Sequence, residues 1–398
     1  MIQNPEFADL QLALADNYQD TGNLSEGIQY LEQAHKIYQA LQDFNYFVCF
    51  ERWGRVYEVQ GDLNKALQHY ETFYKHMYEL HHQFPEHQLY MHNLAIACQG
   101  LGVIYRNTGN IPKAKRYFTE YHQLMQTLTS QDTDNNRFKA NLATSFQYLA
   151  GIAYIRGQIL EAIDAYTQYY QIKKELSEKQ PQNTKHKYGM ATANGKLGEI
   201  YLNQLDYPQA LVHLEAYNSL MLELCNQEKA SPAFQHSLAV SHQLLGTLHE
   251  ENREIPILIS HYEMYLQIMS KLSQTYPLNL DYKRSLGIAY SKLGTVYFKS
   301  LNYREALYYY SLDLEIMNEL TSIEPDNVQW HNGLAINHAQ IATVFYEIND
   351  LDSSQTNLEE AQRIWQKLTE NSPENAQFQA RLEQVNADMK ELKSSQNV

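Results

Sequence analysis

Glycine and proline are scarce in this 398-residue chain, at 16 and 10. An all-β fold needs frequent turns, so this little punctuation favours long helices. Cysteine is scarcer still: Cys49, Cys98 and Cys225 are odd in number and show no paired spacing. They suggest neither a disulfide framework nor a zinc site. Basic residues are also outnumbered, 31 Lys and Arg against 46 Asp and Glu, for a net charge of −15. Nucleic-acid binders present clustered positive charge to phosphate, so no nucleic-acid partner is expected. Docking on anionic lipid is disfavoured for the same reason. No apolar run approaches the ~18 residues that a membrane span needs, and MIQNPEFADLQL carries neither the basic nor the apolar part of a leader. A soluble, reducing, cytoplasmic setting is the expectation.

What the chain does have is tyrosine, 32 against 13 Phe, within a hydrophobic content of 44%. Tyrosine suits half-buried helix faces, where the ring packs and the hydroxyl reaches water. It also has a repeat. QGLGVIYRNTGNIPKAKRYF (99–118) is echoed by QYLAGIAYIRGQILEAIDAY (147–166) and GKLGEIYLNQLDYPQALVHL (195–214). An apolar anchor falls at Leu14, Trp53, Leu101, Leu149, Leu197, Leu245, Leu293 and Ile341, with a first interval of 39 and six of 48. A small residue follows each anchor, and positions 18, 57, 105, 201 and 297, four after it, are Tyr. A second apolar-small pair lies one heptad upstream, as at Leu94-Ala95 and Leu238-Ala239. Spacings of 3, 4 and 7 define one stripe of a helix, roughly 20 residues or ~30 Å long.

Breaks recur in register too. Gly22, Gly61, Gly109 and Gly157 suit the left-handed residue that ends a helix. Asn23, Asp62, Asn110, Asp206, Asn302 and Asp350 follow as N-caps of a second helix. Pro112, Pro208 and Pro256 stand in its first turn, and Pro85, Pro181, Pro277, Pro325 and Pro373 mark the loops that close the units. In that second helix Ala66, Ala114, Ala162, Ala210 and Ala306 mark a tight contact, with Tyr70, Phe118, Tyr166, Leu214, Tyr262, Tyr310 and Leu358 packing four residues on.

These blocks, clearest in LGVIYRNTGNIPKAKRYF and LGTVYFKSLNYREALYYY, resemble the tetratricopeptide repeat over about residues 5–371. The units depart from the usual 34 residues and carry Tyr121, Tyr169, Tyr217 and Tyr265 where the family usually has alanine. The resemblance implies an all-α, right-handed solenoid of about eight antiparallel helix pairs. The expected layout is a single array: a shortened first repeat (5–43), 48-residue repeats (44–371) and a C-terminal capping helix (373–393) with Leu382 and Met389 in core register.

Reactive constellations are missing. There is no Walker loop, GxSxG, HExxH or CxxC, and GKLGEIY lies within a helical pattern repeated as SKLGTVY. His81, His82, His87 and His92 read as loop histidines rather than metal ligands, and His242, His249 and His338 as inter-helix hydrogen-bonding groups. No catalytic residue, metal or cofactor is expected.

The resemblance places the first helix of each pair on a concave groove. Beside the core stripe, positions two before, two after and five after each anchor share a face and vary between units. From them the groove candidates are Gln99, Val103, Arg106, Gln147, Tyr154, Glu199, Leu202, Gln243, Thr247, Glu250, Thr295, Phe298, Thr343 and Tyr346. The family's Lys/Asn/Arg clamp for carboxylate tails is not matched. The expected function is a non-enzymatic scaffold or adaptor for a protein or extended peptide, with basic partners favoured by the acidic charge. The alternative is a regulatory or sensor subunit acting on a separate effector. A homodimer through the stacked ends stays open.

Overall fold

The computed structural model describes residues 4–20, 23–228, 231–251 and 254–396. Among these residues there are seventeen α-helices and no strand. The chain divides into two compact units, Met1–Ile200 and Tyr201–Val398.

In the first unit α1 (Pro5–Asp20) pairs with α2 (Leu24–Leu41), α3 (Asn45–Val59) with α4 (Leu63–Gln83), α5 (Gln88–Asn107) with α6 (Ile111–Gln131), and α7 (Asn136–Ile155) with α8 (Ile159–Lys179). The last helix, α9 (Thr184–Asn203), runs three residues past the division. In the second unit follow α10 (Tyr207–Gln227), α11 (Pro232–Glu251), α12 (Ile255–Thr275), α13 (Leu280–Lys299), α14 (Tyr303–Ile323), α15 (Val328–Glu347), α16 (Leu351–Asn371) and α17 (Ala376–Gln396), each packed on the next. From α5 onward the first helix of every pair has 20 residues and the second 21, which accounts for the 48-residue interval once the turns are added.

Five of the turns inside pairs cap the helix that follows. The side chains of Asp62, Asn110, Asp206, Asn302 and Asp350 accept from the backbone N–H three residues on, at 3.1–3.5 Å. Asn23 makes no such bond, and Gly22 lies outside the described residues. Gly61, Gly109 and Gly157 take φ of +79°, +77° and +70°. The left-handed position persists where the glycine does not: Leu205, Leu301 and Asn349 occupy it at φ near +60°.

The tyrosines have a regular job. Residue i on a first helix stacks on residue i+12 of the second: Tyr18 on Tyr30, Tyr57 on His69, Tyr105 on Tyr117, Tyr201 on His213, His249 on His261 and Tyr297 on Tyr309. The ring centres lie 5.2–5.7 Å apart, the offset-stacked range. The small residues after the anchors let the second helix close in; a Cβ at Gly102 would lie 2.5 Å from the Phe118 ring. On α17 the buried heptad is Phe378, Val385 and Leu392, while the expected Leu382 and Met389 are half-buried beside it.

Candidate groove

Contacts between residues 49 apart show that first helices of successive pairs lie side by side within each unit. Gln99 Nε2 donates to Tyr148 Oη at 3.2 Å, joining α5 and α7. Lys299 Nζ donates to Glu250 at 2.6 Å, joining α13 and α11. Ser291 Oγ donates to Gln340 Oε1 at 3.4 Å, joining α13 and α15. The variable stripe therefore forms a face, and thirteen of the fourteen groove candidates are half-buried, with Thr343 exposed.

In the first unit Gln99 and Val103 line a cleft of about 330 Å³ together with Glu51, Arg55, Glu58 and Tyr70. Glu51 is buried; desolvation pushes its carboxyl up, against the charges of Arg52 and Arg55. Glu58 accepts from Tyr70 Oη at 3.3 Å and is likewise raised by burial. Arg106 places its guanidinium 5.8 Å from the Tyr148 ring centre. On α7 Tyr148 lines this cleft, but Gln147 and Tyr154 do not, and Glu199 is held by Lys196 at 2.8 Å.

In the second unit the counterpart of the Glu58–Tyr70 pair is Glu250 and Tyr262, also at 3.3 Å. Here burial raises the carboxyl, but the Lys299 hydrogen bond and the Lys292 charge outweigh it and hold Glu250 below its ordinary range. Thr247 and Thr295 bond the carbonyls of Gln243 and Ser291 and also contact Tyr262 and Tyr310 Oη, at 3.4 and 3.1 Å. Phe298 rests on Tyr303, and Leu202 packs against the α10–α11 core. Thr343 and Tyr346 line a cleft of about 320 Å³ between α15, α16 and α17, where Tyr346 Oη donates to Glu391 at 3.3 Å.

The face extends beyond the candidates. Ile96, Ile288 and Ile336, five residues before their anchors, line clefts on it, as do Arg284 and Asn332, nine before. The signal was present, since these positions continue the same 4-3 spacing upstream. Lys173 was missed as well. It is buried in the register of Met77, Met125, Met221, Met269 and Met317.

The histidines resolve differently. His92 is not a loop residue: it is buried in α5, receives the Asn141 amide at 3.3 Å, and burial pushes its pKa down to about 4. His81 and His82 end α4, and His87 stacks on Tyr90. His242 contacts His261 at 3.0 Å and His338 contacts Asn357 at 2.9 Å, both across helix pairs. Among the described residues no group of three or more His, Cys, Asp or Glu is placed to hold a metal, and no helix is long and apolar enough to cross a membrane.

Fold and face together define a TPR-like helical solenoid. No protein-family model matches the sequence, and no curated protein matches it. Among solved structures, the chain is similar to the apo form of RapI, at 12% identity and TM-score 0.59, over 96% of this chain and 98% of that one. It is also similar to BtubC (BKLC) from P. vanneervenii, at 15% identity and TM-score 0.52, over 66% and 92%. At these identities the likeness is one of fold.

Proposed function

We propose that the variable face of the first helices binds an extended peptide or a protein partner, and that the chain acts as a non-catalytic scaffold or adaptor. The observation that carries this reading is the placement of Gln99, Val103, Thr343 and Tyr346 in open clefts of about 320–330 Å³. Half-buried aromatic and amide groups give such a face anchors and directional bonds. The net charge of −15 speeds encounter with basic partners at low salt.

Selection of peptides from a random displayed library against the whole chain tests this. Selected peptides should lose at least about tenfold in affinity on Val103→Arg or on the pair Tyr154→Ala and Tyr346→Ala. They should be indifferent to Leu160→Ala, an exposed α8 residue outside the stripe. Peptides that bind all variants equally would sink the reading.

A further inference from the structure

Two adjacent repeats break register in three places at once. Asp313 stands where five other units carry Phe73, Tyr121, Tyr169, Tyr217 and Tyr265, all buried rings, and the first and last pairs carry Ala34 and Ala361. Gly287 stands where five other units carry Ala95, Ala143, Ala191, Ala239 and Ala335. Asn337 stands where six other units carry Cys, Ala or Ser, as at Cys49, Ala97, Ser145 and Ala289.

The three departures meet. The Asp313 carboxyl is only 5% exposed, and its Oδ1 lies 2.7 Å from where a Cβ at position 287 would be. Asn337 is fully buried and donates Nδ2 to Asp313 Oδ2 at 2.9 Å and to the Tyr310 carbonyl at 3.1 Å. That leaves Asp313 Oδ1 and Asn337 Oδ1 buried without a partner. Buried acceptors with no donor are costly in a protein interior.

Exchange of a tyrosine for an aspartate also opens space. Asp313 lines a cleft of about 690 Å³ whose walls include Met317, Ile288, Ile336, Trp330 and Phe378. The exposed Arg284, stacked on Trp330 at 5.6 Å, is its other charged lining residue; α15 and α17 contribute none. A cleft with one carboxylate oxygen free of hydrogen bonds and Met317, Ile288 and Ile336 beside it suits a compact donor on an alkyl stem. A guanidinium would need both carboxylate oxygens for its fork, and Asn337 already holds one.

We propose that this cleft binds a primary alkylammonium group, either a lysine side chain of a bound peptide or a free alkylamine. Asp313 Oδ1 is the counter-ion, and the Asn337 amide, by holding Oδ2, fixes the orientation of the carboxyl. Since Arg284, Ile288 and Ser291 belong to the stripe and its upstream extension, the inference rests on the reading of that face as a binding surface.

The test is calorimetric titration of the full chain at about pH 8, where the carboxyl is largely ionised, with n-butylamine, with N-acetyl-lysine-N′-methylamide and with n-butanol. Saturable binding of either amine, none of the alcohol, and a loss of at least about tenfold in both Asp313→Asn and Gly287→Ala are expected. The lysine derivative binding alone assigns the site to a peptide, and n-butylamine alone to a small amine. Gly287→Ala keeps the test valid if Asp313→Asn does not fold. No binding of either amine, or equal binding by a folded variant, overturns the proposal. Peptides that bind through Val103 or Tyr346 while both amines fail would refute only the amine site. Amine binding without groove-dependent peptides would refute only the wider reading.

Discussion

The ammonium of Lys173 stands 5.5 Å from the ring centre of Tyr169, inside a core position that five other repeats fill with methionine. The side chain is 9% exposed, and burial lowers its pKa from 10.5 to about 8. Tyr169 offers a ring face, but a cation–π contact recovers only part of the lost hydration.

Lys173→Met should therefore stabilise the protein. The shift from 10.5 to about 8 corresponds to a penalty on the order of 3 kcal/mol below pH 8. The sign follows from proton counting: between pH 8 and 10.5 the unfolded chain holds the proton and the folded chain does not, so stability rises with pH there. Urea unfolding at about pH 7 and 9.5 checks this. The wild type should gain stability between the two, and Lys173→Met should be more stable at pH 7 with that rise removed. A less stable variant at pH 7 would contradict the burial argument.

Asp313 gives the opposite slope. Burial raises its carboxyl from 3.8 to about 7, against the hydrogen bond from Asn337. Between those values the folded chain holds a proton that the unfolded chain has lost. Its stabilising contribution is complete below pH 3.8 and disappears as pH rises through 7. Asp313→Asn should match the wild type near pH 4 and exceed it by about 2–4 kcal/mol at pH 8. Thermal melts across this range read the crossover, and a constant difference between the two proteins would rule out the titration.

The helix pairs were legible because their signals repeat: anchors, caps and prolines at one interval define both the period and the turns. The i to i+12 stacking was not read from the tyrosines, because it depends on how two helices close around a turn and not on spacing within one helix. The variable face was read from 3.6-residue geometry, but only its downstream half. Ile96, Ile288 and Ile336 look like core residues in sequence, being apolar in a helical pattern, and only the packing places them in clefts. Lys173 and Asp313 depart from their registers, and both were passed over in the sequence. Their burial was not legible there, since a polar residue at a core position can equally mark a shifted helix.

Leu205 and Leu301 hold the left-handed turn position that Gly109 and Gly157 occupy in other repeats, at φ +60° against +77° and +70°. Their side chains are 68% and 73% exposed, so little packing compensates for the clash of Cβ with the backbone. A left-handed L-residue costs about 1–2 kcal/mol, and glycine gives back roughly 0.5–1 through the entropy of the unfolded chain. Leu205→Gly and Leu301→Gly should each stabilise by up to about 1 kcal/mol, and the gains should add because the sites are two repeats apart. Gly109→Leu should lose a similar amount. Denaturant midpoints of the two single variants and the double variant measure this directly. A destabilised Leu301→Gly would mean that the exposed leucine makes a contact the turn geometry does not reveal.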